Sequence, residues 1–371
     1  MLALAILTFV GFGWLLVVVG AHQAELTAAM SLDLSQAALL GASLAIGAGI
    51  GITGYGPLYD RFAPRPLWSA ASLVCALPLL SVSEDMTFAG AVLRIGIAGM
   101  GGGAYNTVVN ASVTEHYGAS ASRPLAIVHA SATIGAVAGP LLAEVLGAHF
   151  SWTASFRLLG GLHLLVAASA WLLPPARPRP RRTRAQPASL PYRRLLPFMA
   201  ITFAYVSLEA CTTLFAVPFA QQGLGLDPSR GRYAISAFWA GVLLSRIGLT
   251  LSPRPVGVGA MVGAGLGGAA ISGATVGLGI PWLEVALGLN GMVVGLTYPL
   301  VMAVIGQRFT SGRGTAIGLA GGAGALGGSF TPWVAGLLGD GFGPGVAFGL
   351  VALCGLIVAA AAAVAHRANA T

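Results

Sequence analysis

The chain has 371 residues, 56% hydrophobic and 8% charged, with a mean hydropathy of +0.83 and a formal net charge of +8. A soluble domain carries about a quarter charged residues, so the polar skin of a water-soluble fold is missing and a bilayer is the expected solvent. All 19 cations are arginine and most fall in a few loops, which argues against a nucleic-acid partner.

Only helices and closed barrels can satisfy their backbone inside lipid. The apolar runs are long and lack period-two alternation, so helices are expected. A crossing takes about 20 apolar residues. That length predicts twelve spans, at 4–27, 34–59, 66–83, 86–112, 122–148, 152–173, 195–219, 229–250, 254–278, 281–306, 313–338 and 343–365. The first lacks the leading charge of a signal peptide and reads as a retained helix.

Between the sixth and seventh spans runs PPARPRPRRTRAQPASLPYRR, Pro174 to Arg194, with seven arginines and no acid. Its prolines forbid a helix interior. The expected plan is a six-helix bundle at 1–173, a cytoplasmic linker at 174–194 and a second six-helix bundle at 195–371.

Arginine placement sets the orientation. Arg61, Arg65, Arg123, the central cluster, Arg254, Arg308, Arg313 and Arg367 fall on one side; Glu84, Asp85, Asp227 and Asp340 fall on the other, with Arg230 and Arg232 against the trend. Both termini are therefore expected in the cytoplasm. The halves also repeat. Ala63-Pro-Arg-Pro-Leu67 returns as Ser252-Pro-Arg-Pro-Val256, Arg123-x-x-Ala-Ile127 as Arg313-x-x-Ala-Ile317, and Gly99-Met100 as Gly291-Met292. Parallel six-helix repeats are a transporter architecture.

Several polar residues fall inside these spans, where they are costly and tend to face a cavity. Glu209 lies near the middle of the seventh, with Tyr205 one turn before it on the same face. It is the proton-coupling candidate, set against a plain packing role. Asn106 and Asn110 share a face of the fourth span, and His129 enters the fifth. Trp239 in the eighth and Tyr298 in the tenth complete the expected solute cavity. Arg246 shares a face with Trp239 and is assigned to the cytoplasmic gate, because Leu249 stands where a second-half aspartate would be. Arg94 is read as a buried charge in the fourth span. His22, Gln23 and Glu25 close the first span and are expected at an outer vestibule. Cys75, Cys211 and Cys354 sit in apolar runs without metal spacing and read as buried thiols. GAGIG at 47–51 has no preceding strand to make it a dinucleotide loop. No HExxH or Gly-x-Ser-x-Gly element or convergent nucleophile cluster supports an enzyme, and neither metal nor cofactor is expected.

The loop after the second span reads Gly56-Pro-Leu58-Tyr-Asp60-Arg61-Phe-Ala-Pro-Arg65. This resembles the signature loop of the major facilitator superfamily, Gly-x-Leu-x-Asp-Arg-x-x-x-Arg. The resemblance implies that Gly56, Asp60, Arg61 and Arg65 belong to a cytoplasmic gate. Gly101 to Gly103 with Asn106 and Asn110, Arg123 to His129, Tyr205 to Glu209, Ser236 to Gly241 and Tyr298-Pro-Leu300 together resemble the fucose–proton symporter-like branch. An acid often lies four residues before the span-four asparagine of that branch. Asn106 stands there, so coupling must use another acid. Tyr105-Asn106 is similar to the monocarboxylate-type branch, and Gly139-Pro140 to a motif of drug–proton antiporters. The expectation is an all-α, multi-pass carrier of the bacterial inner membrane. It would act as a monomer and move a small polar solute such as a sugar by alternating access, with protons as a coupling partner. A drug–proton antiporter or an organic anion transporter is the alternative.

Overall fold

The computed structural model describes residues 1–173, 191–252, 256–309 and 313–367. Arg254 and all of the expected linker before residue 191 lie outside the described residues. Every regular element among the described residues is helical. The chain forms two compact units, the first from Met1–Leu32 and the residues from Leu39 onward in the first half, the second from Asp33–Ala38 and the later part of the chain.

The first unit contains α1 (Leu2–Ala21), α2 (Gln23–Met30), most of α3 (Leu34–Tyr59), α4 (Pro64–Leu80), α5 (Phe88–Tyr117), α6 (Ser122–His149) and α7 (Thr153–Ser169). Local chemistry sets the ends. α4 starts on Pro64, whose fixed φ suits a first helical position. Thr87 Oγ1 accepts the Gly90 N–H at 3.2 Å to cap α5. α1 packs mainly on α6, and α4 on α5 and α7. The expected first span is not one straight helix: it breaks at His22 into α1 and the short α2.

The second unit contains α8 (Tyr192–Pro218), α9 (Pro228–Leu251), α10 (Gly259–Gly277), α11 (Leu283–Val294), α12 (Thr297–Arg308), α13 (Arg313–Phe342) and α14 (Pro344–Arg367). Asp227 caps α9 by accepting the Ser229 N–H at 2.8 Å, with Pro228 next in line. The Ser229 hydroxyl and N–H hold the Asp227 carboxyl below the usual carboxylate range. The tenth span divides into α11 and α12, because Pro299 cannot return an N–H to the carbonyl one turn earlier. α8 packs on α13 and α14, α9 on α11, and α10 on α14. The start of α3 also belongs here: Asp340 on α13 accepts the N–H groups of Leu34 at 2.7 Å and Ser35 at 3.2 Å. A carboxylate suits the positive end of a helix.

Glycine makes the closest helix contacts in both units. In the first, a Cβ on Gly47 or Gly51 of α3 would lie 2.0 Å from the carbonyl oxygens of Gly96 or Met100 on α5. In return, one on Gly99 or Gly103 would lie 2.2 or 2.0 Å from the Leu44 or Ala48 oxygen. In the second, Gly241 of α9 meets Gly288 of α11 at 2.1 Å, and Gly291 meets Phe238 at 2.0 Å. Gly99 and Gly291, matched in the sequence repeat, thus make the same contact within their own units. Such approaches let backbones pack where lipid supplies no hydrophobic drive between helices.

The outer faces are apolar. Ile46, Ile50, Leu77, Leu93, Val145 and Leu165 are each more than half exposed. Scattered over so many helices, such residues mark a surface solvated by lipid. Nine elements among the described residues are long and apolar enough to cross a membrane, with α11 and α12 taken as one. α4, α5 and α13 are further helices of 17, 30 and 30 residues.

Candidate functional site

Tyr205 and Glu209 stand one turn apart on α8 and share a face. The Tyr205 hydroxyl donates to Glu209 Oε1 at 2.6 Å, and the phenol is fully buried. Arg246 on α9 places Nη2 3.6 Å from the same oxygen. Tyr298, in the first turn of α12, lays its ring 6.0 Å from that of Tyr205 at an interplanar angle of 30°. Three sequence-selected residues, from α8, α9 and α12, therefore stand around the carboxylate of a fourth, Glu209. The side chains of Glu209 and Arg246 keep 15% and 27% exposure, so the pair is shielded but not sealed. Arg246, assigned from the sequence to the cytoplasmic gate, lies beside Glu209. Trp239, two turns before it, is buried, with Nε1 donating to Thr213 Oγ1 at 3.3 Å. That bond ties the indole to α8.

A second polar cluster lies in the first unit. Asn110 Nδ2 donates to Asn106 Oδ1 at 3.0 Å and to the Asn106 carbonyl at 2.9 Å. With its amide nitrogen so used, Asn110 presents Oδ1 to His129 Nε2 at 2.9 Å. An acceptor there requires the imidazole proton on Nε2. The His129 ring meets Phe9 edge-on at 5.2 Å. Asn106, Asn110 and His129 thus form one chain of hydrogen bonds from α5 to α6.

At the end of α3, the Arg61 and Phe62 N–H groups return to the Leu58 carbonyl at 3.0 and 2.9 Å. Asp60 and Arg61 are exposed, and Gly56 and Arg65 half-buried. The preceding residue carries the anchor: the buried Tyr59 hydroxyl donates to Glu115 Oε2 at 2.9 Å and lies 3.1 Å from Ser112 Oγ. Sequence reasoning missed Glu115, whose only signal was an acid at the end of a largely apolar span.

The family model described as Major Facilitator Superfamily matches residues 2–234. The chain belongs to the major facilitator superfamily. It is a multi-pass membrane transporter, not an enzyme. Solved structures of the same fold cover nearly all of it. A mutant of the nucleoside transporter NupG is 14% identical with a TM-score of 0.78, covering 98% of each chain. An inward-facing, occupied bacterial homolog of the human lysosomal transporter Spinster is 16% identical with a TM-score of 0.75, over 99% of this chain and 96% of that one. A D-xylose–proton symporter is 15% identical with a TM-score of 0.70, over 97% and 95%. No curated protein matches the sequence significantly.

Two other expectations for this superfamily member change with the structure. Arg94 is not a buried charge. It lies in the second turn of α5, half-exposed, with Nε donating to Ser81 Oγ at 3.0 Å. The helix starts at Phe88, so the long side chain reaches back to the preceding loop. His22 and Gln23 do not line an open vestibule either, being 0% and 1% exposed. His22 occupies the break between α1 and α2, with its ring 5.4 Å from Phe156 and Nδ1 3.7 Å from Glu25 Oε2. Burial follows from that break, which turns the imidazole onto α7. Glu284, read from sequence as interfacial, is held by Arg230 Nε and Nη2. No group of three or more His, Cys, Asp or Glu residues among those described could hold a metal ion. Cys75, Cys211 and Cys354 are free and buried.

Proposed function

We propose that the chain is a secondary active transporter that carries a small polar organic solute by alternating access, coupled to protons through Glu209. The observation that carries this reading is the carboxylate of Glu209 inside α8, held between Tyr205 and Arg246. An ionisable group in a spanning helix is expensive and is kept for ion or substrate pathways. It is also the acid required once Asn106 takes the place of the branch's usual carboxylate. Asn106, Asn110 and His129 add donors and acceptors for a polar solute in the other unit. Trp239 and Tyr298 offer aromatic surface.

The fuller architecture is twelve spans with both termini in the cytoplasm, the arginine-rich stretch between bundles, and an inner gate at Gly56, Asp60, Arg61 and Arg65. It is supported by the helix lengths and by the arginine bias. The likeness to a proton symporter for D-xylose supports coupled sugar transport, in keeping with the fucose-type resemblance. A second reading, an organic anion as cargo, is favoured by the guanidinium of Arg246 beside Glu209.

Tracer uptake into proteoliposomes tests the reading. The panel is sugars, organic acids and lipophilic cations, each with and without an imposed proton gradient. Gradient-driven accumulation of a sugar or an organic acid is expected. Transport of unrelated lipophilic cations alone would replace the reading with drug–proton antiport.

A further inference from the structure

Three helix ends of the second unit meet at one aromatic ring. The Arg308 guanidinium, in the last turn of α12, stands over the Phe198 ring of α8 at 5.0 Å. Its Nη1 donates to the Ala365 carbonyl near the end of α14 at 3.4 Å. The buried Phe309 ring meets Phe198 edge-on at 6.2 Å. Arg194 lies one turn before Phe198 on the same side of α8, with Arg193 beside it, and Arg367 ends α14. Arg193, Arg194 and Arg367 are exposed and Arg308 is half-buried. The ring and the carbonyl are neutral, so they order the Arg308 guanidinium without balancing its charge. Among the described residues of the unit, no acid stands at this end. From Pro174 onward the sequence holds four acids, Glu209, Asp227, Glu284 and Asp340. Glu209 is bonded to Tyr205 inside α8. Asp227 starts α9, Glu284 lies in the first turn of α11, and Asp340 lies in the last turn of α13. Successive helices reverse direction, so those three mark the opposite end. Asp33, the remaining acid of the unit, shares the start of α3 with Asp340. The positive-inside bias brings arginines to a membrane face. It does not gather them around one ring with no counter-charge. In the signature loop of the first unit, by contrast, Asp60 adjoins Arg61.

We propose that this end of the second unit docks the head group of an anionic phospholipid, held by Arg193, Arg194, Arg308 and Arg367. The inference goes beyond the transport reading and does not depend on the solute. Phosphate oxygens match the planar fork of arginine. Basic clusters at the ends of spanning helices recognise such head groups, each arginine adding about fivefold in affinity. No described side chain caps the start of α8, so its first N–H groups add to the attraction for phosphate. The surface beside the arginines selects a lipid over a free anion. Tyr192 and Leu196, on either side of Arg193 and Arg194, are 60% and 58% exposed. Val364, one turn before Arg367, is 57% exposed. A tyrosine at a helix start suits the head-group layer. Leu196 and Val364 lie further into their helices and offer apolar surface to the acyl chains. A bound head group bridges the start of α8 to the ends of α12 and α14, and holds three helices together at one end.

The test uses the full chain in detergent, with native mass spectrometry to count bound lipid and thermal unfolding as a second readout. The probes are dioleoyl phosphatidylglycerol and tetraoleoyl cardiolipin. Dioleoyl phosphatidylcholine is the control without net charge, and inorganic phosphate and glycerol phosphate are the soluble anions. At least one anionic lipid is expected to bind about tenfold more tightly than phosphatidylcholine and to raise the melting temperature. Arg193→Gln and Arg194→Gln should each weaken that binding about fivefold, and the double variant about twenty-five-fold. Both side chains are exposed, so these variants keep the fold, whereas Arg308→Gln also removes a packing contact. Arg123→Gln, at an exposed arginine of the first unit, should leave the binding unchanged. The proposal is overturned if phosphatidylcholine binds as tightly as the anionic lipids, or if the double variant binds them like the wild type. It is equally overturned if the soluble anions stabilise the chain as well as the lipids do at equal concentration, or if Arg123→Gln weakens lipid binding as much as Arg194→Gln.

Discussion

The hydroxyl of Tyr205 donates to Oε1 of Glu209 across 2.6 Å, one turn along α8. Tyr205→Phe removes that donor and little else. A hydrogen bond to a charged group is worth roughly 1.5–3 kcal/mol, about tenfold or more in an equilibrium. The variant is expected to keep solute counterflow, which needs no net proton movement, and to lose about tenfold of its proton-driven accumulation. Accumulation at the wild-type level would show that the phenol has no part in coupling.

Glu209→Gln keeps the size of the side chain and removes its charge and its proton. Membrane insertion and abundance should match the wild type, and counterflow should persist. Accumulation against a gradient should fall to simple equilibration. Wild-type concentrative uptake by this variant would remove Glu209 from the mechanism.

The part of this site that was legible in the sequence lies on single helices. The spacing of Tyr205 and Glu209, and that of Asn106 and Asn110, follows from the helical period. The partnership of Arg246 with Glu209 does not, because no periodicity in one helix fixes its rotation against another. The same limit hid Arg230–Glu284 and Tyr59–Glu115, each of which joins two helices. Apolar run length placed the long helices but passed over the breaks at His22 and before Thr297. The break before Thr297 sits inside a stretch that is apolar on both sides, where hydropathy has no contrast to offer. Arg94 was misplaced because a residue in the second turn of a helix can reach back to its preceding loop.

Asn110 links Asn106 to His129 in the first unit. Asn110→Ala leaves both neighbours short of one partner, yet His129 is exposed and Asn106 half-buried, so water can replace the lost bonds. The expected stability change is therefore small, below about 1 kcal/mol. If the cluster contacts solute, KM should rise several-fold while the melting temperature holds. A fallen melting temperature with unchanged KM would assign the cluster to helix packing instead.

The contact between α1 and α6 depends on two glycines that face each other's backbones. A Cβ on Gly13 would lie 1.7 Å from the Ala132 carbonyl oxygen, and one on Gly135 would lie 1.9 Å from that of Val10. Neither neighbour is the end of a flexible side chain, so a methyl group at either place must push two helices apart. Overpacking of this kind costs typically about 1–3 kcal/mol. Gly147 and Gly161, on α6 and α7 of the same unit, have nothing within 4 Å of an added Cβ. Alanine there removes chain entropy from the unfolded state and should be neutral or stabilising, by up to about 1 kcal/mol. Thermal unfolding of the four alanine variants in one detergent separates the pairs. Gly13→Ala and Gly135→Ala are expected to melt well below the wild type, and Gly147→Ala and Gly161→Ala at or above it. Equal losses at all four positions would mean that close backbone approach does not set the requirement for glycine in this bundle, since alanine is the better helix former at every one of them.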